Sequence, residues 1–418
     1  MQTISGKFNE AKVFTDVIDN TCIDQIRNLC NLEPFKDSHI RIMPDCHAGA
    51  SCVIGFTGLL GEKIIPNVVG VDIGCGMLTV NLGKIDIDLP KLDEIIHKHI
   101  PCGFNVHSGR VAKFPKLEEM YCYRELRDTK KIERAIGTLG GGNHFIEIDV
   151  DDDGYKYLVI HTGSRNFGLQ VATLYQKKAE ELHKGYEKYW KDRDELIERY
   201  KAEGRRKEIE GALKELKREF HESASDIPEE FAYLTGEYSK QYLHDMAICQ
   251  EYASLNRSII GDIIVTEYGL SPIDEFETIH NYIDIKSGIV RKGAVSARLN
   301  EPLLIPINMR DGSLICIGKG NEDWNYSAPH GAGRLYSRRQ AKEKFTVEEF
   351  KETMDTAGIY STSIDSSTLD ECPMAYKGMD DIVNNISPTA DIEKIIKPIY
   401  NFKASEYSSA DSNEGSDD

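Results

Sequence analysis

The hydrophobic positions of the chain change rhythm several times, and each change predicts a different element. Up to about residue 40, short apolar groups among charges predict a small mixed lead-in. From Arg41 to Gly83 the sequence is β-branched and punctuated by glycine, as in "CVIGFTGLL" and "NVVGVDIGCGMLTVNLG". Short apolar runs broken this way predict strands joined by tight turns in a sheet core. Leu89–His99 and Lys116–Ile136 space their apolar residues three and four apart, the period of a helix. The run "YLVI", Tyr157–Ile160, predicts a buried strand. Lys177–Phe220 is dense in Lys, Arg and Glu with aromatic and leucine positions three to four apart, which predicts two exposed helices turning near Gly204. Glu230–Ile260 predicts a more apolar helix packed on the core, and strand-like sequence resumes through Lys319. With no solenoid-length repeat and no Pro- or Ser-rich linker, the pattern predicts one intertwined domain, residues 1–403, with a helical insertion at 177–222.

Composition narrows the class. Of 418 residues, 40% are hydrophobic and 29% charged, an ordinary globular balance. No window approaches the ~18 uninterrupted apolar residues of a membrane span, and Met1–Phe14 lacks a signal-peptide apolar region. A cytoplasmic location with no membrane contact is the expectation. The ten cysteines form no C-x-x-C pair, which argues against a zinc ribbon or a disulfide framework.

The net charge of −18 makes the chain a poor non-specific binder of nucleic acid. Residues 404–418 hold five acids and no base and read as a disordered acidic tail; without them the charge is still −13. An anionic substrate therefore needs a local basic pocket or bound metal ions.

Five motifs carry chemistry. In "GVDIGCG", Gly70–Gly76, Asp72 and Cys75 are three apart between glycines. They can face one metal ion, or be a turn-former and a buried small hydrophobe. In "LGGGNHFIEI", Leu139–Ile148, a glycine loop precedes Asn143 and His144; His144 can ligate a metal, Asn143 can bond a phosphate oxygen, and Glu147 can accept from a base edge. A hairpin turn with a surface histidine is the plain alternative. In "VIHTGSRNFG", Val159–Gly168, an apolar strand ends at His161 and Arg165 follows in a turn, which suits a metal ligand beside a phosphate clamp. His280 in "TIHNYI" adds a further imidazole. Mixed O, N and S donors in this number can hold one or two divalent ions; the thiolate and imidazoles favour zinc, phosphate chemistry favours manganese or magnesium. In "YSAPHGAGRLYSRR", Tyr326–Arg339, small residues leave room for a phosphorylated ligand at His330, and Arg334, Arg338 and Arg339 can neutralise it. A histidine can act there as a covalent nucleophile on phosphorus. "IGKGN", Ile317–Asn321, does not match a phosphate-binding P-loop.

Together with "MPDCHAG", Met43–Gly49, and "DECPMAYK", Asp370–Lys377, these motifs in this order resemble the RtcB family of RNA ligases, over about Arg41 to Lys403. The resemblance implies an α+β fold: a single large domain with central β-sheets, surrounding helices and the charged hairpin inserted. It implies a GTP- and Mn²⁺-dependent ligase that joins RNA ending in a 2′,3′-cyclic phosphate or 3′-phosphate to RNA with a 5′-hydroxyl, in RNA repair or tRNA splicing. His330 would attack the α-phosphate of GTP to give histidine-linked GMP, with Arg165 and Arg334 adding charge at the phosphorus. Asp72, Cys75, His144, His161 and His280 would hold two manganese ions, bridged by Cys75. Asn143 would bind phosphate, and Phe145, Glu147, Tyr376 and Lys403 would surround the guanine nucleotide. Partners implied are the RNA ends and an archease-type activator.

The chain departs from the family pattern in three places. It reads "IPINMRDG", Ile305–Gly312, where the family has Pro-Gly-Ser-Met-Gly, so Asn308 and Arg310 imply altered base contacts. Ala404 follows Lys403 where the family ends in Lys-Gly, and Thr162 stands for a serine. The same five ligands also fit a dinuclear metal-dependent RNA phosphoesterase acting through an activated water. "SAPHGAGR" has no use in such a hydrolase.

Overall fold

A computed structural model describes residues 1–404, so the acidic tail expected at 404–418 lies outside the described residues apart from Ala404. Three sheets organise the chain. The largest has seven antiparallel strands in the order Pro302–Asn308, Gly312–Gly318, Ala390–Lys403, Phe145–Val150, Lys156–Thr162, Gly76–Gly83 and Asp274–Ile279. A six-stranded sheet runs Gln2–Ser5, Glu10–Val13, Ile40–His47, Ile54–Leu59, Ile289–Lys292 and Asn281–Asp284, with one parallel step between Glu10–Val13 and Ile40–His47. The expected lead-in is thus part of this sheet. Ala294–Ser296 and Ser327–Pro329 form a two-stranded ribbon. The architecture is α+β, with sheets at the centre and helices around them.

Strand periodicity explains how the large sheet is covered on both faces. In Phe145–Val150, Ile146 and Ile148 point one way, into a cluster with Leu92, Ile96, Leu158, Ile160, Ile260 and Ile264. Leu92 and Ile96 come from the helix Leu89–His99, which Asp88 caps by accepting from Lys91 N. Ile260 and Ile264 belong to the helix Gly236–Tyr268. Phe145 points the other way, into a second cluster with Met77, Tyr157, Val159, Leu304, Ile315 and Ile396. Glu147 and Asp149 share that second face.

Two elements differ from the expected ones for physical reasons. Lys116–Ile136 is not one helix; it forms short 3₁₀ turns at Pro115–Glu119 and Tyr123–Glu125 and a helix only at Thr129–Arg134. The buried Asp245 carboxylate takes the Tyr121 and Cys122 amides at 2.9 and 3.0 Å, so those N–H groups are not offered to a helical ladder. The long helix starts at Gly236, after Pro228 and a 3₁₀ turn, and runs to Tyr268, where Gly269 at φ 86° ends it. The charged stretch 177–222 begins inside the helix Arg165–His183, whose Phe167, Val171 and Tyr175 are buried. It continues as Tyr186–Ala202 and Ile209–Glu219, neither of which has a buried residue. Among the described residues no helix is long and apolar enough to cross a membrane.

Candidate active site

Four neighbouring strands end at one edge of the large sheet, and that edge gathers the metal-ligating side chains. Cys75 immediately precedes Gly76–Gly83, His144 immediately precedes Phe145–Val150, His161 is next to last in Lys156–Thr162, and His280 follows Asp274–Ile279. The register aligns them: Gly76 pairs with Thr162 and Ile279, and Phe145 pairs with His161. Antiparallel pairing is the reason, since two strands begin and two finish at the same edge. Asp72 reaches in from the turn before Cys75. A Cβ on Gly163 would stand 2.2 Å from Asp72 Oδ1, so only glycine leaves room for that carboxylate.

The donor atoms form two triads, Asp72–Cys75–His144 and Cys75–His161–His280, each within 4.8 Å and sharing the Cys75 sulfur. Cys75 Sγ is 3.3 Å from His161 Nε2 and 3.6 Å from His144 Nε2, and His144 Nε2 is 3.1 Å from Asp72 Oδ2. His144 Nδ1 bonds Leu139 O at 3.0 Å and His161 Nδ1 bonds Asn143 O at 3.1 Å, which turns both Nε2 atoms toward the sulfur. Burial holds His161 and His280 well below the usual histidine range, hence neutral and able to donate a lone pair. Burial, then the Asp72 charge, pushes the Cys75 thiol well up. Burial alone would raise Asp72, but the hydrogen bond to and charge of His144, the Cys75 hydrogen bond and the Arg165 charge together outweigh that and bring it to about 2. A buried thiol, three buried imidazoles and an ionised carboxylate fit divalent cations, which displace the thiol proton on binding.

His330 faces this cluster. Its ring centroid is 5.0 Å from that of His280, which is 5.2 Å from His161. Asp45, fully buried, accepts from His330 Nδ1 at 2.6 Å and from the His330 and Gly331 amides at 3.0 and 3.1 Å. A carboxylate on Nδ1 keeps the proton there and leaves Nε2 with its lone pair. His47 lies parallel to His330 at 6.3 Å, its imidazole lowered by burial to about 4.

The remaining expected residues fall into three groups. Arg165, at φ 59°, donates to Thr138 Oγ1 and Gly103 O, and occupies the space a Cβ on Gly140 (φ 90°) would need. Asn143 is exposed. Phe145 packs edge-on to His161, with Lys403 Nζ 5.4 Å above its ring and Glu147 two residues along the strand. Lys403 also pairs with Glu371 Oε2 at 2.8 Å; Glu371 further takes Tyr376 Oη at 2.5 Å and Arg334 Nη1 at 3.1 Å. Arg334 Nη1 reaches Tyr376 Oη at 3.0 Å. Asn308 stands apart: its side chain bonds Asp311 Oδ2 and accepts from the Arg310 and Asp311 amides, closing the hairpin turn.

Sequence reasoning assigned no role to Asp45 or Glu371. Both stood inside quoted motifs, "MPDCHAG" and "DECPMAYK", where the acid precedes a histidine by two residues and a tyrosine by five. Asp45 meets His330 across 285 positions, and Glu371, besides its near neighbour Tyr376, meets Lys403 and Arg334 across 32 and 37, so the fold reveals these pairings.

The sheet edge thus brings a cluster able to hold metal ions beside an oriented histidine. A family model described as tRNA-splicing ligase RtcB matches residues 25–125 and 117–404. The chain is 31% identical over 410 residues to an RNA-splicing ligase RtcB1 and to an RNA-splicing ligase RtcB, both of Escherichia coli, covering 88% of this chain and 91% of each relative. It is 26% identical over 431 residues to a tRNA-splicing ligase RtcB of Aeropyrum pernix, covering 85% of both. The chain belongs to the RtcB family.

Proposed function

We propose that this chain is a GTP- and Mn²⁺-dependent RNA ligase that joins 2′,3′-cyclic phosphate or 3′-phosphate ends to 5′-hydroxyl ends in RNA repair or tRNA splicing. In this reading residues 1–403 are the ligase domain, and Asp72, Cys75, His144, His161 and His280 hold two metal ions. When bound, the ions supply positive charge that offsets the substrate phosphates. The observation that carries the reading is the Asp45–His330 pair facing the cluster.

Asp45 holds the proton on Nδ1, so Nε2 of His330 attacks the α-phosphorus of GTP; an N–P bond forms, the P–O bond to pyrophosphate breaks, and pyrophosphate leaves. After the cyclic end is opened by water, an oxygen of the RNA 3′-phosphate attacks the same phosphorus and the N–P bond breaks, returning the electron pair to Nε2. The RNA 5′-hydroxyl then attacks the terminal RNA phosphorus and GMP departs. Arg165 and Asn143 bind phosphate, and Arg334 adds charge while fixing Tyr376. Phe145, Glu147, Tyr376 and Lys403 form the wall against the base. Asn308, engaged in its turn, acts through the backbone shape of that hairpin. A cytoplasmic location and an archease-type activator belong to the same reading.

The test is incubation with α-labelled GTP and Mn²⁺, followed by ligation of a cyclic-phosphate RNA to a 5′-hydroxyl RNA. Acid-labile label on His330, absent in His330→Ala, is the expected result. Cyclic-phosphate hydrolysis without nucleotide and without label would instead identify a phosphoesterase.

A further inference from the structure

The long helix Gly236–Tyr268 lies against the strands Gly76–Gly83 and Lys156–Thr162 that end at the ligand edge. Two successive residues of it, Asn256 and Arg257, are fully buried. Successive helix residues point about 100° apart, and these two reach the backbone beneath different halves of the ligand set.

Arg257 donates from Nη1 to Gly74 O at 2.8 Å and Thr162 O at 2.7 Å, and from Nε to Glu277 Oε1 at 2.7 Å. Gly74 precedes Cys75, Thr162 follows His161, and Glu277 lies on the strand that ends just before His280. One guanidinium thus ties the three adjacent strands that deliver Cys75, His161 and His280. Its Nη2 has no partner among the described residues, so both carbonyls depend on a single nitrogen.

Asn256 serves the other triad. Its Oδ1 accepts from the Gly137 and Thr138 amides at 2.7 and 3.1 Å. Its Nδ2 donates to Thr138 O at 3.1 Å and Gly163 O at 3.2 Å, with a longer contact of 3.5 Å to Thr162 Oγ1. Thr138 leads into Leu139, whose carbonyl meets His144 Nδ1 at 3.0 Å. Gly163 is followed by Ser164, whose amide donates to Asp72 Oδ1 at 3.1 Å. A buried charge and a buried amide are costly unless their hydrogen bonds are made. In return they fix carbonyl and amide directions, which apolar packing cannot do.

We propose that Asn256 and Arg257 are positioning residues that divide the two metal positions between them. Arg257 sets the Cys75–His161–His280 position and Asn256 the Asp72–Cys75–His144 position. The proposal rests on the two-metal reading given above and extends it to one turn of the long helix.

The experiment is titration of full-length, metal-free protein with Mn²⁺, read from the paramagnetic resonance signal of the unbound ion, in two backgrounds. Asp72→Ala leaves only the Cys75–His161–His280 position, and His280→Ala leaves only the other. In Asp72→Ala, adding Arg257→Lys, which keeps the charge and loses the planar fork, should weaken binding about 10- to 100-fold, the usual effect of removing an outer partner of a metal ligand. Glu277→Gln, which loosens the same fork at nearly unchanged size, should act in the same direction. Asn256→Ser and Asn256→Ala should leave that background unchanged. In His280→Ala the pattern should reverse: the Asn256 substitutions weaken binding and Arg257→Lys and Glu277→Gln do not. In the otherwise wild-type chain, each substitution should leave one Mn²⁺ tightly held and one weakened. Circular dichroism of the metal-free proteins selects the folded variants, with Glu277→Gln and Asn256→Ser as the milder member of each pair. The proposal is overturned if folded variants weaken both positions alike, weaken the opposite positions, or bind as their backgrounds do. If wild type holds fewer than two Mn²⁺ ions, or the two backgrounds do not each hold one, the two-metal reading itself fails and this proposal with it.

Discussion

Asp45→Asn is the most informative single change, because it alters one proton and little volume. Asp45 accepts three hydrogen bonds, two from backbone amides and one from His330 Nδ1 at 2.6 Å. An asparagine oxygen can still serve the amides, so the Gly331 turn is retained. All three donors share the Oδ2 atom, so an asparagine oxygen there keeps them but carries no charge, which weakens the bias that holds the imidazole proton on Nδ1 rather than on Nε2, the atom required as nucleophile. Charge-assisted hydrogen bonds are worth about 1.5–3 kcal/mol, and the analogous tautomer error in a serine protease triad lowers the rate about 10⁴-fold. A fall of about 10²- to 10⁴-fold in the single-turnover rate of His330 labelling is therefore expected, with bound metal and thermal midpoint close to wild type. The assay is rapid-quench labelling with α-labelled GTP at saturating nucleotide. Labelling at the wild-type rate, with the substitution verified and metal bound, would refute the idea that Asp45 sets the tautomer.

Other outcomes follow from the same geometry. Glu371 is buried; burial alone would raise its carboxyl, but Lys403, Arg338 and Arg334 outweigh this and hold it well below the usual range. Its contribution to stability is then present above the unfolded carboxyl value of about 4.3 and lost as pH falls through the folded value. Glu371→Gln should lower stability by about 3–5 kcal/mol at neutral pH, and the gap in urea midpoint should narrow on acidification; a gap independent of pH would contradict the charge argument. Cys75→Ala removes the donor common to both triads, so metal analysis after desalting should show loss at both positions, not one. Gly163→Ala places a methyl 2.2 Å from Asp72 Oδ1 and should weaken metal retention and destabilise the fold by about 1–3 kcal/mol; unchanged metal affinity would show that Asp72 is free to move. Gly140→Ala, at φ 90° and against Arg165, should impair labelling of His330 while leaving metal content intact.

Local chemistry was largely readable from the sequence. Histidines at strand ends, glycines before "NH" and around Asp72, and the arginines after "PHGAG" are statements about a few consecutive residues, and local backbone sterics govern such segments. The alternation in "FIEIDV" likewise reports which side chains share a face, because a strand turns over at every residue. The helix expected at Lys116–Ile136 shows the limit: apolar spacing was helical, but Asp245, more than a hundred positions away, captured two of its amides. Pairing was the part decided by the tertiary structure. Asp45 meets His330 across 285 positions, and Lys403 meets Glu371 across 32. Periodicity reveals that a face must be covered, since exposed apolar surface is unfavourable; it carries no information on which face covers it. That choice depends on the packing of all the elements at once, so the positions of the buried charges emerged only with the fold.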